Sequence, residues 1–196
     1  MNRPRLCPPT GLLLAALVLI CPVARAEDMP AQDARELVQE GLQGLKKLIK
    51  DDPKDRFLLE AAVGVLDDER AVAIAPTNKL PGEGGKSLPP KGGPVGIMVC
   101  LGDLKTPDGL PIVDAGVYLL VTRRTSEQAW SLLCVAAGGL VAATLPAKLD
   151  SVTGDITKPA AKLKWQGTKL SLELQFPTFD PDKDDLALKS EVEVGR

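Results

Sequence analysis

Carboxylates near the end of the printed sequence have the spacing of calcium ligands. Asp180, Asp182 and Asp184 stand at positions 1, 3 and 5 of a loop-sized window, and Glu191 stands at position 12. Oxygens at these positions are typical of loops that wrap Ca²⁺, but such loops use glycine at position 6 for a sharp turn. Position 6 is Asp185 here. We therefore expect an acidic turn between strands and no resident cofactor, with calcium in another geometry as the alternative.

The chain contains no histidine. Nucleophiles activated by histidine are thereby excluded, as are zinc, copper or haem sites with histidine ligands. Residues 82–87 resemble part of a phosphate-binding loop, but Leu80 stands where that motif needs its first glycine. Any catalysis would have to use carboxylates, or serine with lysine.

Four carboxylates lie near predicted β turns: Asp103, Asp108, Asp114 and Glu127. A glycosidase needs two carboxyl groups about 5–9.5 Å apart around the scissile bond. Spacing along the chain selects no such pair, and aspartate is common in turns for its own backbone hydrogen bonds. A secreted hydrolase that uses carboxylates or a serine–lysine pair is therefore the alternative to a protein without catalytic activity.

Aromatic residues are few, and three of them lie in predicted strands. Tyr118, Trp130 and Trp165 are candidates for lining a groove that binds a glycan or a peptide. Aromatic side chains in strands also fill cores. Core packing is therefore the competing interpretation for all three.

Cys100 and Cys134 each lie within an apolar run. In an oxidising compartment they can form a disulfide, which would stabilise the fold by roughly 3–4 kcal/mol. The alternative is two small buried side chains on central strands, because a third strand would separate them in a simple meander. The sequence leaves both interpretations open.

The first 26 residues have the three parts of an export signal. Arg3 and Arg5 precede an uninterrupted apolar run over residues 11–20, and Ala24 and Ala26 form a small-x-small cleavage pattern. As a helix, this run covers about half of the roughly 30 Å hydrocarbon core of a bilayer. We expect cleavage after Ala26, and hence no transmembrane span in the mature chain.

Two alternatives to simple cleavage follow from the same segment: lipid attachment at Cys21, and a retained anchor.

Of the 24 basic and 26 acidic residues, three arginines and no acids lie in residues 1–26, so cleavage changes the net charge from −2 to −5. An acidic chain disfavours nucleic acid and anionic lipid as partners. A periplasmic or extracellular location is expected.

Residues 30–50 have apolar side chains at spacings of three and four, which predicts an amphipathic helix. We expect this N-terminal segment, residues 27–52, to pack on a single β domain formed by residues 53–196. Residues 76–94 are rich in proline and glycine and predict a long surface loop.

Residues 57–66 fit either a helical stripe or the first strand of a hairpin that residues 71–75 complete. Their valine content, with the isoleucine of the second segment, favours the hairpin. Further strands are predicted at 95–104, 116–123, 130–136, 170–176 and 186–194.

The clearest strand signal is the alternation of leucine with polar residues over 169–176. A two-residue turn at Gln166 and Gly167 would place Trp165 opposite Thr168 and Leu163 opposite Leu170. Short strands separated by turn residues predict a mostly β fold, an antiparallel β-sandwich or open barrel with one N-terminal helix.

The run Ala115-Gly116-Val117-Tyr118-Leu119, with Trp130 on the following strand, resembles the A-G-x-Y-x-L hairpin of secreted bacterial β-sandwich domains of unknown function. The resemblance implies the fold and no activity. The sequence thus predicts an exported, non-catalytic binding or structural module of the bacterial cell envelope. Its partner would be an unknown protein or glycan of that envelope.

Overall fold

The computed structural model describes residues 26–45, 56–67, 69–82, 88, 92–126, 129–152, 156–178 and 184–195. Apart from Ala26, the predicted leader with Ala24 and Cys21 lies outside the described residues. Glu127, Asp180 and Asp182 lie outside them as well.

One α-helix, α1 (Ala31–Leu45), and one 3-10 turn, Leu59–Ala61, lie in the described ranges. The strands in these ranges are β1 (Glu27–Asp28), β2 (Val63–Leu66), β3 (Ala71–Pro76), β4 (Pro94–Leu101), β5 (Leu104–Lys105), β6 (Pro111–Val113), β7 (Gly116–Arg124), β8 (Trp130–Ala136), β9 (Val141–Val152), β10 (Ala160–Gln166), β11 (Lys169–Phe176) and β12 (Asp185–Glu193).

Ten strands form one antiparallel sheet in the order β1-β2-β3-β4-β7-β8-β9-β12-β11-β10, and β5 pairs with β6. The sheet curls until β10 packs against β2 and β3, so its two ends nearly close a barrel. The predicted mostly β, antiparallel fold with a helix near the N-terminus is confirmed. In the described part of the chain, no helix combines the length and apolar character needed to cross a bilayer.

The concave side of the sheet holds the main core. On β11 the side chains of Leu170, Leu172, Leu174 and Phe176 point inward and are 4 %, 5 %, 0 % and 1 % exposed. Leu104 and Val113, from the β5–β6 hairpin, join the same core. A void of about 10 Å³ beside them has room for about one water-sized sphere. The interior is therefore filled by side chains.

Helix α1 covers the convex side of β2, β3, β4 and β7 and forms a second core there. Its inward side chains, Ala34, Val38, Leu42 and Leu45, are at most 2 % exposed. The helix approaches the sheet most closely at Gly41. A Cβ atom at this position would lie 2.7 Å from Val99 Cγ2 and 3.2 Å from both methyl groups of Val117.

Gly41→Ala is therefore expected to lower the free energy of unfolding by about 1–2 kcal/mol, because Val99 is too stiff to yield without shifting the helix. Gly44 lies on the exposed face, and a Cβ there would meet nothing within 4 Å. Gly44→Ala should instead raise stability by about 0.5–1 kcal/mol through helix propensity. Urea unfolding followed by circular dichroism measures both, and stabilisation by both variants would contradict the close approach.

Residues 57–66 form neither a continuous helix nor a continuous strand, the two elements that the sequence allowed. Phe57 makes an isolated bridge with Thr77, and the 3-10 turn Leu59–Ala61 follows. Only β2 pairs with β3, as the hairpin prediction requires. The Asp67 carboxylate accepts the backbone N–H of Arg70 at 2.8 Å, which closes the turn between the two strands.

The predicted register of β10 and β11 is wrong by two residues. Trp165 lies opposite Leu170 rather than Thr168. The turn residues are Gly167 and Thr168, and Gly167 has a φ of +60°, which the first central residue of such a tight hairpin requires. A shift of two residues preserves the faces of both strands, so Leu163, Trp165 and Leu170 do share the inner face.

Arg70 connects the two ends of the sheet. Its Nε and Nη2 donate to the Asp67 carboxylate at 3.1 and 2.6 Å, and its Nη1 donates to the Gly195 carbonyl at 2.6 Å. The guanidinium carbon lies 4.7 Å from the ring centroid of Trp165. Since Asp67 and Arg70 flank the β2–β3 turn and Trp165 belongs to β10, one side chain spans the seam of the near-barrel.

Candidate functional site

An open groove of about 230 Å³ lies on the convex side of β10, β11 and β12. Successive side chains of a strand point to opposite faces. Because the inward residues of these strands are largely apolar, the outward ones supply the polar lining. The outward-pointing charged and hydroxyl side chains that line the groove are Lys162, Lys164, Ser171, Glu173, Lys189 and Glu191.

Strand register arranges these groups in two rows across the sheet. In one row Lys162 faces Glu173, which faces Lys189 on β12. The Lys162 Nζ lies 3.4 Å from Glu173 Oε1. In the other row Ser171 lies between Lys164 and Glu191. Each row therefore combines a lysine on β10 with a glutamate, which lies on β11 in the first row and on β12 in the second.

Asp150 on β9 lies beside the groove and holds two lysines. Its Oδ1 is 2.9 Å from the Nζ of Lys148, and its Oδ2 is 3.1 Å from the Nζ of Lys189. Hydrogen bonds from Lys148 and then Lys189 lower the pKa of Asp150. The same contact raises the pKa of Lys189. Lys189 is thus held protonated at neutral pH and is poorly suited to act as a general base.

The lining groups favour an anionic ligand that also carries hydroxyl groups. Three lysines and two glutamates line the groove, an excess of one positive charge within a chain whose net charge is −2, and Asp150 beside the groove pairs with Lys189. Lysine ammonium groups donate hydrogen bonds to carboxylates, and glutamates accept them from hydroxyls. All of these groups are solvent-accessible, so their attraction for a ligand is screened by salt.

The three aromatic candidates do not line this groove. Trp165 is 9 % exposed and Tyr118 is 4 % exposed, both within the main core, and Trp130 is half-buried against it. The Tyr118 hydroxyl donates to the Asp114 carbonyl at 2.8 Å. These three aromatic side chains approach the core from three different strands. Ligand binding by the three aromatic residues stays a prediction.

Cys100 and Cys134 are free thiols, 1 % and 0 % exposed. They lie on β4 and β8, with β7 between them. Of the two interpretations that the sequence left open, a disulfide or two buried thiols, this arrangement corresponds to the buried thiols. Burial, and then the thiol of Cys134, raises the pKa of Cys100 well above its usual range. Burial raises the pKa of Cys134 to about 12.

Both thiols should therefore resist alkylation in the folded protein, since the thiolate is the reactive form. Treatment with iodoacetamide at pH about 8, followed by peptide mass spectrometry, should leave Cys100 and Cys134 unmodified. The same treatment in denaturant should modify both. Rapid alkylation of either residue in the folded state would contradict its burial.

The turn carboxylates serve the local structure. Asp103 Oδ1 accepts the backbone N–H of Ala115 at 2.9 Å, and its Oδ2 lies 3.7 Å from the Nζ of Lys105. Asp108 lies in the turn between β5 and β6, and Asp114 just after β6. The structure therefore shows these carboxylates at turns.

The acidic window is described only in part. Asp184 precedes β12 and Glu191 lies within it, so seven residues of mostly extended chain, roughly 23 Å, separate the two. This pair does not converge on one ion. Asp185 between them accepts the backbone N–H groups of Ile156 and Thr178, each at 3.0 Å. Within the described ranges no group of three His, Cys, Asp or Glu side chains is placed to hold a metal, and calcium binding stays a prediction.

The groove is not apparent from the sequence alone. Its available signal was the alternation over 162–176, whose outward positions include Lys162, Lys164 and Glu173. Lys189 and Glu191 join them only because β12 pairs with β11. Comparison with known protein families, curated proteins and solved structures found no match to this chain. The likeness to secreted β-sandwich domains therefore stays a prediction.

Proposed function

We propose that this protein is an exported, non-catalytic binding module whose groove on β10, β11 and β12 holds an acidic glycan of the cell envelope. The observation that carries the proposal is the excess of lysine over glutamate in an open groove on an acidic protein. Carboxylates of uronic acids or similar sugars would pair with Lys162 and Lys164, and sugar hydroxyls would donate to Glu191.

Export is supported by the sequence of residues 1–26. Intact-mass analysis of the protein recovered from a bacterial host should show an unmodified chain that begins at Glu27. A chain that begins at an acylated Cys21 would support the lipid-anchored alternative instead. Recovery of the uncleaved chain from the cytosol would overturn the proposed location.

Ligand binding is tested by calorimetry with an oligogalacturonate as probe, and with a neutral malto-oligosaccharide as control ligand. The double variant Lys162→Glu with Lys164→Glu should weaken oligogalacturonate binding about tenfold or more, because it reverses both charges on β10. Binding should also weaken as salt is added.

Lys169→Glu is the matched control variant, since Lys169 is exposed on the same face of β11 but does not line the groove. This variant should bind within about twofold of the unmodified protein, after allowance for the weak long-range effect of one screened charge. Equal loss in the control and the double variant would contradict a defined groove. Equal binding of the neutral sugar would contradict recognition by charge.

A hydrolase is the second candidate, because Ser171 lies in the groove opposite Lys164. A serine nucleophile needs a neutral lysine as its base. Hydrolysis of p-nitrophenyl acetate that Ser171→Ala abolishes, with the fold intact by circular dichroism, would favour this candidate. Equal rates for the two proteins would favour the binding module.

A further inference from the structure

The exposed large hydrophobic side chains of the described residues lie at one end of the near-barrel. They are Leu101, Leu110, Leu140 and Val141, with 51 %, 64 %, 75 % and 53 % of their surfaces exposed. We refer to this set as the apolar end.

Strand direction and chain connectivity place these four residues at the same end of the sheet. β4 and β8 are both antiparallel to β7, so they run the same way and their last residues lie at the same end. Leu101 ends β4, and Leu140 and Val141 follow the turn after β8. Leu110 lies in the turn of the β5–β6 hairpin, which closes this end of the core.

The leader joins the fold at the same end. β2 runs in the direction of β4, because β3 is antiparallel to both. Glu27 pairs with Leu66, the last residue of β2, and Ala26 packs against the core beside it. Residues 21–26 separate this point from the apolar run and can span at most about 20 Å. A leader inserted in a bilayer therefore holds Ala26, at this end of the sheet, within that distance of the lipid.

The turn between β8 and β9 is suited to contact with lipid. Residues 136–143 carry no charged side chain, and the two most exposed positions in this stretch with large side chains are Leu140 and Val141. Acidic groups predominate elsewhere at this end: Glu27, Glu69, Asp103 and Asp108 are exposed, against Lys105 and Lys169. An acidic surround is repelled by anionic lipid and tolerated by neutral lipid.

We propose that the apolar end is a peripheral docking surface for an electrically neutral bilayer, into whose interface Leu110, Leu140 and Val141 insert. The leader delivers this end to the membrane, and the exposed side chains keep the processed protein there. The inference depends on the proposed export but not on the proposed glycan groove.

The test is flotation of the processed, exported protein with phosphatidylcholine vesicles. Binding is expected, and the triple variant Leu110→Ser, Leu140→Ser, Val141→Ser should lower the vesicle partition coefficient about tenfold or more. Vesicles that contain phosphatidylglycerol should bind more weakly at low salt, and added salt should reduce the difference. Intact mass, measured on the same sample, shows separately whether the leader was removed.

The double variant Val121→Ser with Leu133→Ser is the control, since this half-buried pair lies on the convex side of β7 and β8, nearer the opposite end. It should float with vesicles as the unmodified protein does. Flotation unchanged in the triple variant would overturn the proposal. Absence of flotation, together with self-association that the triple variant abolishes, would overturn it in favour of a second copy as the occupant.

Discussion

Replacement of Arg70 by alanine is expected to lower the free energy of unfolding by about 3 kcal/mol. The variant loses two hydrogen bonds to Asp67, one to the Gly195 carbonyl and the stacking contact with Trp165. The side chains of Arg70 and Asp67 are only 14 % and 15 % exposed, so water cannot fully replace these contacts. Urea unfolding followed by far-ultraviolet circular dichroism measures the loss.

Arg70→Lys is the matched variant, because it keeps the charge but lacks the planar fork that reaches two partners. The free energy of unfolding lost in Arg70→Lys should be more than half of that lost in the alanine variant. A loss below about 1 kcal/mol in the alanine variant, the size expected for an exposed ion pair, would contradict the role of Arg70 at the seam.

The Asp67–Arg70 pair also predicts the direction of a pH dependence. Burial alone would raise the pKa of Asp67, but hydrogen bonds from the Arg70 side chain and from the backbone N–H groups of Glu69 and Arg70 outweigh it and lower the pKa. The stabilising effect of the carboxylate is therefore present above its unfolded pKa and is lost as pH falls through its lower, folded pKa. The stability difference between Asp67→Asn and the unmodified protein should shrink over this acidic range.

Gly92→Ala is expected to lower stability by at least about 3 kcal/mol. Gly92 has a φ of +83°, and a Cβ on it would lie 1.5 Å from the carbonyl oxygen of Thr122. Neither the oxygen nor its backbone can move freely, because the N–H of Thr122 is held by the Gly93 carbonyl at 2.9 Å. The chain entering β4 would have to separate from β7.

Gly138→Ala separates the clash from the cost of the backbone conformation. Gly138 has a φ of +103°, yet a Cβ there would meet nothing within 4 Å. It should therefore show only the cost of the left-handed conformation, about 1–2 kcal/mol. Equal losses in the two variants, measured by the same urea unfolding, would show that the approach of Thr122 has no effect on stability.

Local patterns predicted several elements of the fold well. The alternation over 169–176 predicted which side chains of β11 face the core, because successive side chains of a strand point to opposite faces. The turn residues before it predicted that β11 pairs with β10. β9 was not predicted. Pro146 lies in its middle, and proline is ordinarily confined to edge strands because it lacks an N–H. β9 pairs with β8 over Val141–Ala147 and with β12 over Lys148–Val152, so Pro146 has a strand partner only on the β8 side, and on the other side its carbonyl accepts the Ser190 hydroxyl at 2.7 Å.

The groove was beyond prediction for a different reason. Lys164 and Glu191 are individually ordinary surface residues, and the chain between them includes all of β11. Their common row depends on how β12 pairs, which is a non-local property. The cysteines were more tractable, because the expectation that a strand separates Cys100 from Cys134 needed only the order of neighbouring hairpins.

β12, the last strand among the described residues, is not at an edge of the sheet. β12 lies between β9 and β11, which precede it in the sequence, and pairs with both along much of its length. Until residues 185–193 are available, β9 and the β10–β11 hairpin have no shared backbone hydrogen bonds, and the barrel is divided between them. Final assembly of the sheet must therefore wait until residues 185–193 have been synthesised and, for an exported chain, have emerged from the translocation channel.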